Sequence, residues 1–229
     1  MGELVTFASN GGTSQGYLAL PSDGAGPGVI VIQEWWGLVP HIKSVTERFA
    51  AAGFVALAPD LFHGVHTTEP DDANRLMMGL AMPQAAKDIA GAAEFLGQHE
   101  ATQTSKGKIG VVGFCMGGSL ALWSATFSPR ITTAVGFYPA IPWEKMDPSW
   151  GNYDSKIAMI HCSEEDGTSS APGIQQAMNS IADAGGKCVV HDYPGTSHAF
   201  FNDDRPEVYD EGASRSSWAR TLEVFRTTL

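Results

Sequence analysis

Ile109-Gly110-Val111-Val112-Gly113-Phe114-Cys115-Met116-Gly117-Gly118-Ser119-Leu120-Ala121-Leu122 is the stretch on which the reading of this chain turns. The run Ile109 to Val112 predicts a buried strand, and Ser119 to Ala125 predicts a helix. Between them, Gly113-x-Cys115-x-Gly117 predicts a sharp strand-to-helix bend that holds one side chain in an exposed, strained position. Glycines are required there because side chains would collide with the neighbouring strand and helix. The residue usually presented at such a bend is serine. A cysteine in its place points to a thiol hydrolase, whereas a Gly-rich turn carrying a core cysteine is the competing reading.

The order of residues along the chain favours the first reading. Asp166 lies in Cys162-Ser163-Glu164-Glu165-Asp166-Gly167, just past the apolar run Ile157 to Ile160. His198 lies in Gly195-Thr196-Ser197-His198-Ala199-Phe200, just past Val189 to Tyr193. Nucleophile, acid and histidine in that order, each in a loop after a strand, is the order of an α/β-hydrolase.

Length and composition bound the rest. A chain of 229 residues fits one α/β domain over 1–229, with a full core. Charged residues make up 17% and hydrophobic ones 43%, as in a compact enzyme. The net charge of −11 argues against nucleic acid or an anionic membrane as partner. No stretch resembles a signal peptide or a membrane span. Three cysteines, Cys115, Cys162 and Cys188, are too few and too odd in number for a disulfide framework. A cytoplasmic location is therefore expected, where a catalytic thiol stays reduced.

Segments alternate in type along the chain. Leu4–Ala8 and Gln15–Leu20 predict a hairpin across Asn10-Gly11-Gly12. Strands are predicted at 29–32, 54–58, 109–112, 133–138, 157–160 and 189–193, and helices at 42–52, 83–96, 119–125, 173–184 and about 206–225. The stretch 60–82 reads as irregular. Its His63 and His66 lack a Cys or carboxylate to complete a metal site, so they read as surface imidazoles and no metal is expected. The pattern implies a mostly parallel sheet covered by helices on both faces and begun by an antiparallel hairpin.

A cysteine nucleophile needs a base and donors for the oxyanion it creates. His198 is the candidate base, and Asp166, with Glu164 and Glu165 as competitors, the candidate orienter. The Met116 N–H is one expected oxyanion donor, and the second should come from Gln33-Glu34-Trp35-Trp36-Gly37. A glutamate followed by two tryptophans at the end of a doubly buried strand is either a surface carboxylate over core aromatics or a site residue.

Taken together, Gln33-Glu34 followed by Gly37, Ala58-Pro59-Asp60-Leu61, Gly113-Phe114-Cys115-Met116-Gly117-Gly118, Asp166 and Gly195-Thr196-Ser197-His198-Ala199-Phe200 resemble the dienelactone hydrolases (carboxymethylenebutenolidases) over essentially the whole chain. The resemblance implies a Cys115, Asp166 and His198 triad, with Glu34 controlling protonation of the thiol. It also implies an oxyanion hole from the Trp35 and Met116 N–H groups. The implied reaction is ester or lactone hydrolysis through a thioester, on a small-molecule substrate and with no cofactor. Family enzymes open dienelactone to maleylacetate. They hold its carboxylate with arginines, one of them four residues after the histidine. That position is Asn202 here, so Arg205 and Arg75 become the candidate cations, and Trp36 and Phe200 further candidate substrate contacts. Asn offers one neutral hydrogen bond where Arg offers a charged fork, so a more apolar pocket is expected. The alternatives are a non-catalytic binder on the same fold or a hydrolase of another bond type. A binder needs no reactive thiol, a dehalogenase would want aspartate at 115, and a peptidase would want a lid.

Overall fold

Apolar runs such as those at 29–32 and 109–112 become the central strands of one eight-stranded sheet. The computed structural model describes residues 2–103 and 107–229. Its strands are β1 (Glu3–Ser9), β2 (Gly12–Ala19), β3 (Gly28–Ile32), β4 (Val55–Pro59), β5 (Ile109–Phe114), β6 (Ile131–Phe137), β7 (Ile157–Ser163) and β8 (Lys187–Tyr193). The helices are α1 (Pro40–Ala51), α2 (Pro70–Met78), α3 (Met82–Gln98), α4 (Met116–Ser124), α5 (Pro172–Asp183) and α6 (Glu211–Thr228). Asn10 and Gly11, at φ 24° and 93°, make the hairpin turn, where positive φ at both positions matches the strand twist.

Strand order is β1-β2-β4-β3-β5-β6-β7-β8; β1 and β2 run antiparallel to their neighbours and the other pairings are parallel. Every residue of β3, β4 and β5 is buried, which is why their sequences are continuous apolar runs without alternation. Crossovers are right-handed, so direction of travel decides which face a helix covers. The step from β3 through α1 to β4 runs one way along the sheet. The steps from β4 through α3 to β5, β5 through α4 to β6, and β7 through α5 to β8 run the other. Hence α1 lies on one face and α3, α4 and α5 on the opposite one. Helix α6 joins α1, where Phe49 packs on Trp218 at 4.5 Å between ring centroids and on Phe225 at 6.0 Å.

The reversal of direction between β3 and β5 opens a crevice at their carboxyl ends, where open α/β sheets hold ligands. Ile32 pairs with Gly113, so Glu34 and Cys115 each stand two residues past a paired position on adjacent strands. Two expectations need correction. The 60–82 stretch contains α2, started by Pro70, with Ala73 fully buried and Leu76 and Met77 at helical spacing packed partly against the core. Helix α6 starts at Glu211 and not near Pro206, because the Asp210 carboxylate accepts the Ala213 N–H at 2.7 Å and caps it there. No helix among the described residues is long and apolar enough to cross a membrane.

Candidate active site

Cys115 sits at φ 56° and ψ −120°, a conformation L-residues rarely adopt, between the last residue of β5 and the first of α4. The bend is held by Cys115 N–H to Phe137 O at 3.0 Å and Gly118 N–H to Cys115 O at 2.9 Å. A Cβ on Gly117 would come within 2.6 Å of Ile32 O and closer still to Gln33 O. Only glycine lets α4 start so near the end of β3. Met116 opens α4, so its amide precedes the helix's own hydrogen bonds, and among the described residues it donates to no backbone carbonyl outside the helix. Among the described residues, the Trp35 amide donates to no backbone carbonyl.

His198 Nδ1 lies 2.7 Å from Asp166 Oδ2. That oxygen also accepts the Ser163 hydroxyl at 2.5 Å. The neighbours that competed with Asp166 in sequence have other work. Glu165 accepts the His198 backbone N–H at 2.8 Å, and Glu164 accepts the Gly195 N–H at 2.5 Å. Three consecutive acids thus fix the histidine loop, and only the third meets the ring. Burial by itself would lower the His198 pKa. The hydrogen bond that its Nδ1–H donates to Asp166, with the adjacent Cys115 sulfur, outweighs it and raises the value to about 10. Burial opposes ionisation of Asp166 too, yet His198 and Ser163 together hold its carboxyl below the usual range.

Glu34 is 1% exposed. One carboxylate oxygen accepts from Asn202 Nδ2 at 2.6 Å. Burial pushes its pKa up, and His41, Asn202, His198 and Arg205 pull it part of the way back. Trp35 and Trp36 meet edge-on at 5.0 Å beside it. A cleft of about 360 Å³ borders this cluster at Asp166 and Tyr138, walled by Ile141, Pro142, Trp143 and Ile174. No lysine or arginine among the described residues lines it.

The dienelactone hydrolase family model matches residues 14–229. The chain belongs to the dienelactone hydrolase family. With the family comes the reaction class, hydrolysis of carboxylic esters. Among curated relatives, Protein usf of Aquifex pyrophilus is 36% identical over 236 residues, covering 100% of both chains. A protein of Aquifex aeolicus named "Putative carboxymethylenebutenolidase" is 32% identical over 236 residues, again covering 100% of both. Among solved structures, a dienelactone hydrolase-like promiscuous phosphotriesterase from metagenomic libraries, P91, superposes with a TM-score of 0.84 at 19% identity, over 99% of this chain and 98% of that one. It shares the α/β-hydrolase fold.

Several residues named for substrate contact on the family resemblance are placed elsewhere. Phe200 is wholly buried against Phe137, Tyr138 and Tyr193, so it is a core residue and not a cleft wall. Asn202 is 2% exposed and its amide is committed to Glu34. Arg75 is paired with Asp72 and lines a separate hollow with His63. His63 itself faces Asp88 at 3.1 Å. Arg205 alone of the candidate cations stands near the site, 5.9 Å from the Trp36 ring centroid and bonded to Glu207 at 2.9 Å. Trp36 is half-buried on this rim.

Tyr138 escaped the sequence reading. It follows β6 as Cys115 follows β5, has φ 37°, and packs edge-on against His198 at 4.9 Å. Its buried hydroxyl has no partner among the described residues. Burial first, then the charges of Glu34, Cys115 and Asp166, push the phenol pKa well above its ordinary value, against the small opposing pull of the nearby Phe201 backbone amide. Its place directly after the strand beside the elbow strand was the available signal.

Proposed function

We propose that the protein hydrolyses small neutral carboxylic esters and lactones through a thioester on Cys115. The observation that carries this reading is the His198–Asp166 pair at 2.7 Å beside a cysteine held at positive φ. Protonated His198 favours the thiolate electrostatically, and Glu34, whose raised pKa makes it a better base, accepts the thiol proton. Sulfur attacks the carbonyl carbon, and the Met116 and Trp35 amides receive the oxyanion. The imidazolium then protonates the departing alkoxide. Neutral His198, oriented by Asp166, takes a proton from water, which cleaves the thioester, and the sulfur regains its proton. The cleft bordering Asp166 has no basic residue, Asn202 is turned to Glu34 and Arg205 is bonded to Glu207, which together favour a neutral substrate.

The test compares kcat/KM on neutral aryl esters and lactones with an anionic lactone of similar size, in wild type and Cys115→Ala. Absence of a charge-assisted contact costs roughly 1.5–3 kcal/mol, or about one to two powers of ten, so neutral substrates should lead by at least about tenfold. Cys115→Ala should abolish turnover with an unchanged melting temperature. A wild-type preference for the anionic lactone, or retained turnover in Cys115→Ala, would sink the reading.

A further inference from the structure

Asp166 reaches His198 from a loop that is strained on its far side. On the near side, the Ser163 hydroxyl accepts the Asp166 N–H at 3.2 Å. Beyond Asp166 the chain runs through Gly167 at φ 90° and Thr168 at φ 59°, two left-handed residues in succession. That conformation suits glycine but is costly for a β-branched threonine, and such residues persist only where their surroundings over-determine them. Ser169 supplies the restraint. Its N–H donates to Asp192 Oδ1 and its hydroxyl to Asp192 Oδ2, both at 2.6 Å, and its carbonyl accepts from Gln175 Nε2 at 2.6 Å. Asp192 belongs to β8, the strand that leads into the His198 loop, and pairs with Cys162 near the end of β7. One carboxylate on the histidine's strand therefore clamps the loop that carries the acid.

We propose that Asp192 is a positioning residue: through Ser169 it holds the strained turn after Asp166, and so keeps the Asp166 carboxylate aligned on His198 Nδ1. This rests on the roles given to Asp166 and His198 above. Glu164 and Glu165 tie the acid loop to the histidine loop through the Gly195 and His198 N–H groups, but both lie before Asp166. The turn's own bonds, Gly167 N–H to Glu164 O at 3.0 Å and Ser170 Oγ to Gly167 O at 2.8 Å, move with it. The two bonds to Asp192 are what fasten it to the sheet. Without that carboxylate the Ser169 N–H and hydroxyl turn to water, Thr168 relaxes toward negative φ, and the backbone at Asp166 swings with it. A single hydrogen bond of 2.7 Å joins Asp166 to the ring. A shift of about 1 Å is enough to spoil it, and misplacement of that size costs up to about 10²-fold in rate.

The test measures kcat and KM on a neutral aryl ester for wild type, Asp192→Ala, Asp192→Asn, Ser169→Ala and Asp166→Asn, and for Asp192→Ala combined with Asp166→Asn. Asp192→Ala should lower kcat by about 10- to 100-fold with KM within about twofold. Asp192 is exposed, so the melting temperature should change little. Asp192→Asn keeps an oxygen for the Ser169 N–H and an amide that can meet the Ser169 hydroxyl, so kcat should recover to within about threefold of wild type. Ser169→Ala loses one of the two bonds and should fall between them. The low-field proton NMR signal of the His198 Nδ1–H should broaden or move upfield in Asp192→Ala and return in Asp192→Asn. In the Asp166→Asn background, Asp192→Ala should change kcat by less than about twofold, because its effect passes through the lost carboxylate. Native kcat in Asp192→Ala, or equal losses from it in both Asp166 backgrounds, overturns the role of Asp192 alone. Full turnover by Asp166→Asn overturns the triad reading beneath it.

Discussion

Alkylation should pick out one thiol of three, and by how much can be worked from the structure. Burial raises the Cys162 and Cys188 thiols to about 12. At pH 7.5 their thiolate fraction is then about 3 × 10⁻⁵, against about one-tenth for an ordinary thiol of pKa about 8.5. That is a deficit of about three and a half powers of ten. A more basic thiolate is intrinsically more nucleophilic, and a Brønsted slope of about 0.4–0.5 returns roughly one and a half of them. About a hundredfold remains, before counting that Cys162 is only 2% exposed. Cys115 has the imidazolium of His198 beside it and opens on the site. Iodoacetamide at pH 7.5, followed by peptide mass spectrometry at timed intervals, should show loss of esterase activity tracking modification of Cys115, with the other two thiols intact. A competing substrate should slow both together. Inactivation that tracked Cys162, or three thiols reacting at similar rates, would refute both the nucleophile assignment and the physical reasoning.

Asp166→Asn should lower kcat by about 10³- to 10⁴-fold by losing the group that fixes the His198 tautomer. Its stability effect has a defined sign. The raised His198 pKa stabilises the fold fully below about pH 6.5, and that contribution is lost as pH climbs through about 10. The depressed Asp166 contributes above its ordinary range and is lost on acidification. The melting-temperature gap between wild type and variant should therefore be widest near pH 5–6 and close toward pH 10; a gap that widened toward pH 10 would contradict this. Gly117→Ala should drive α4 away from Ile32 O and Gln33 O, costing about 1–3 kcal/mol in chemical denaturation and about 10²- to 10³-fold in kcat as the oxyanion donors part. An alanine variant with native activity would mean that the close approach is not needed.

The sheet was legible because parallel strands buried on both faces must be continuous apolar runs, and Val29–Ile32, Phe54–Ala58 and Ile109–Val112 stand out as such. Helix α2 was missed although Ala73, Leu76 and Met77 stand at helical spacing, because the stripe is only a short turn and a half and only Ala73 of it is fully buried. Loops that follow parallel strands converge at one end of the sheet, so Glu34, Cys115, Asp166 and His198 could be assembled from chain order. Contacts between side chains of distant loops leave no such trace. The 2.6 Å bond from Asn202 to Glu34 joins residues 168 positions apart, and counting from the histidine had put Asn202 in the pocket. His41 falls just before the helix expected over 42–52, and nothing in the sequence marks it out. Only the fold sets its ring against Asp203.

Sulfur at the elbow makes sense of the surrounding charges in a way that oxygen would not. A serine hydroxyl stays protonated at neutral pH whatever its neighbours, so a second carboxylate near it would have little to control. A thiol ionises close to neutrality, where modest fields decide its state. Here the fields oppose one another. His198, raised to about 10, is cationic at neutral pH and favours thiolate. Glu34 carries a carboxyl pushed upward by burial, and when ionised it opposes thiolate. On the proposed mechanism, moving the thiol proton to Glu34 removes the opposing charge as the nucleophile forms, so a single proton transfer both creates the thiolate and leaves the His198 imidazolium facing it. A serine at 115 would gain far less from this arrangement. Cys115→Ser should accordingly lose most turnover even with its hydroxyl in the same place, while Glu34→Gln should slow the cysteine enzyme much more than it slows the serine variant. Equal effects of Glu34→Gln in both backgrounds, read as ratios of kcat, would show that the glutamate acts on something other than ionisation of the thiol.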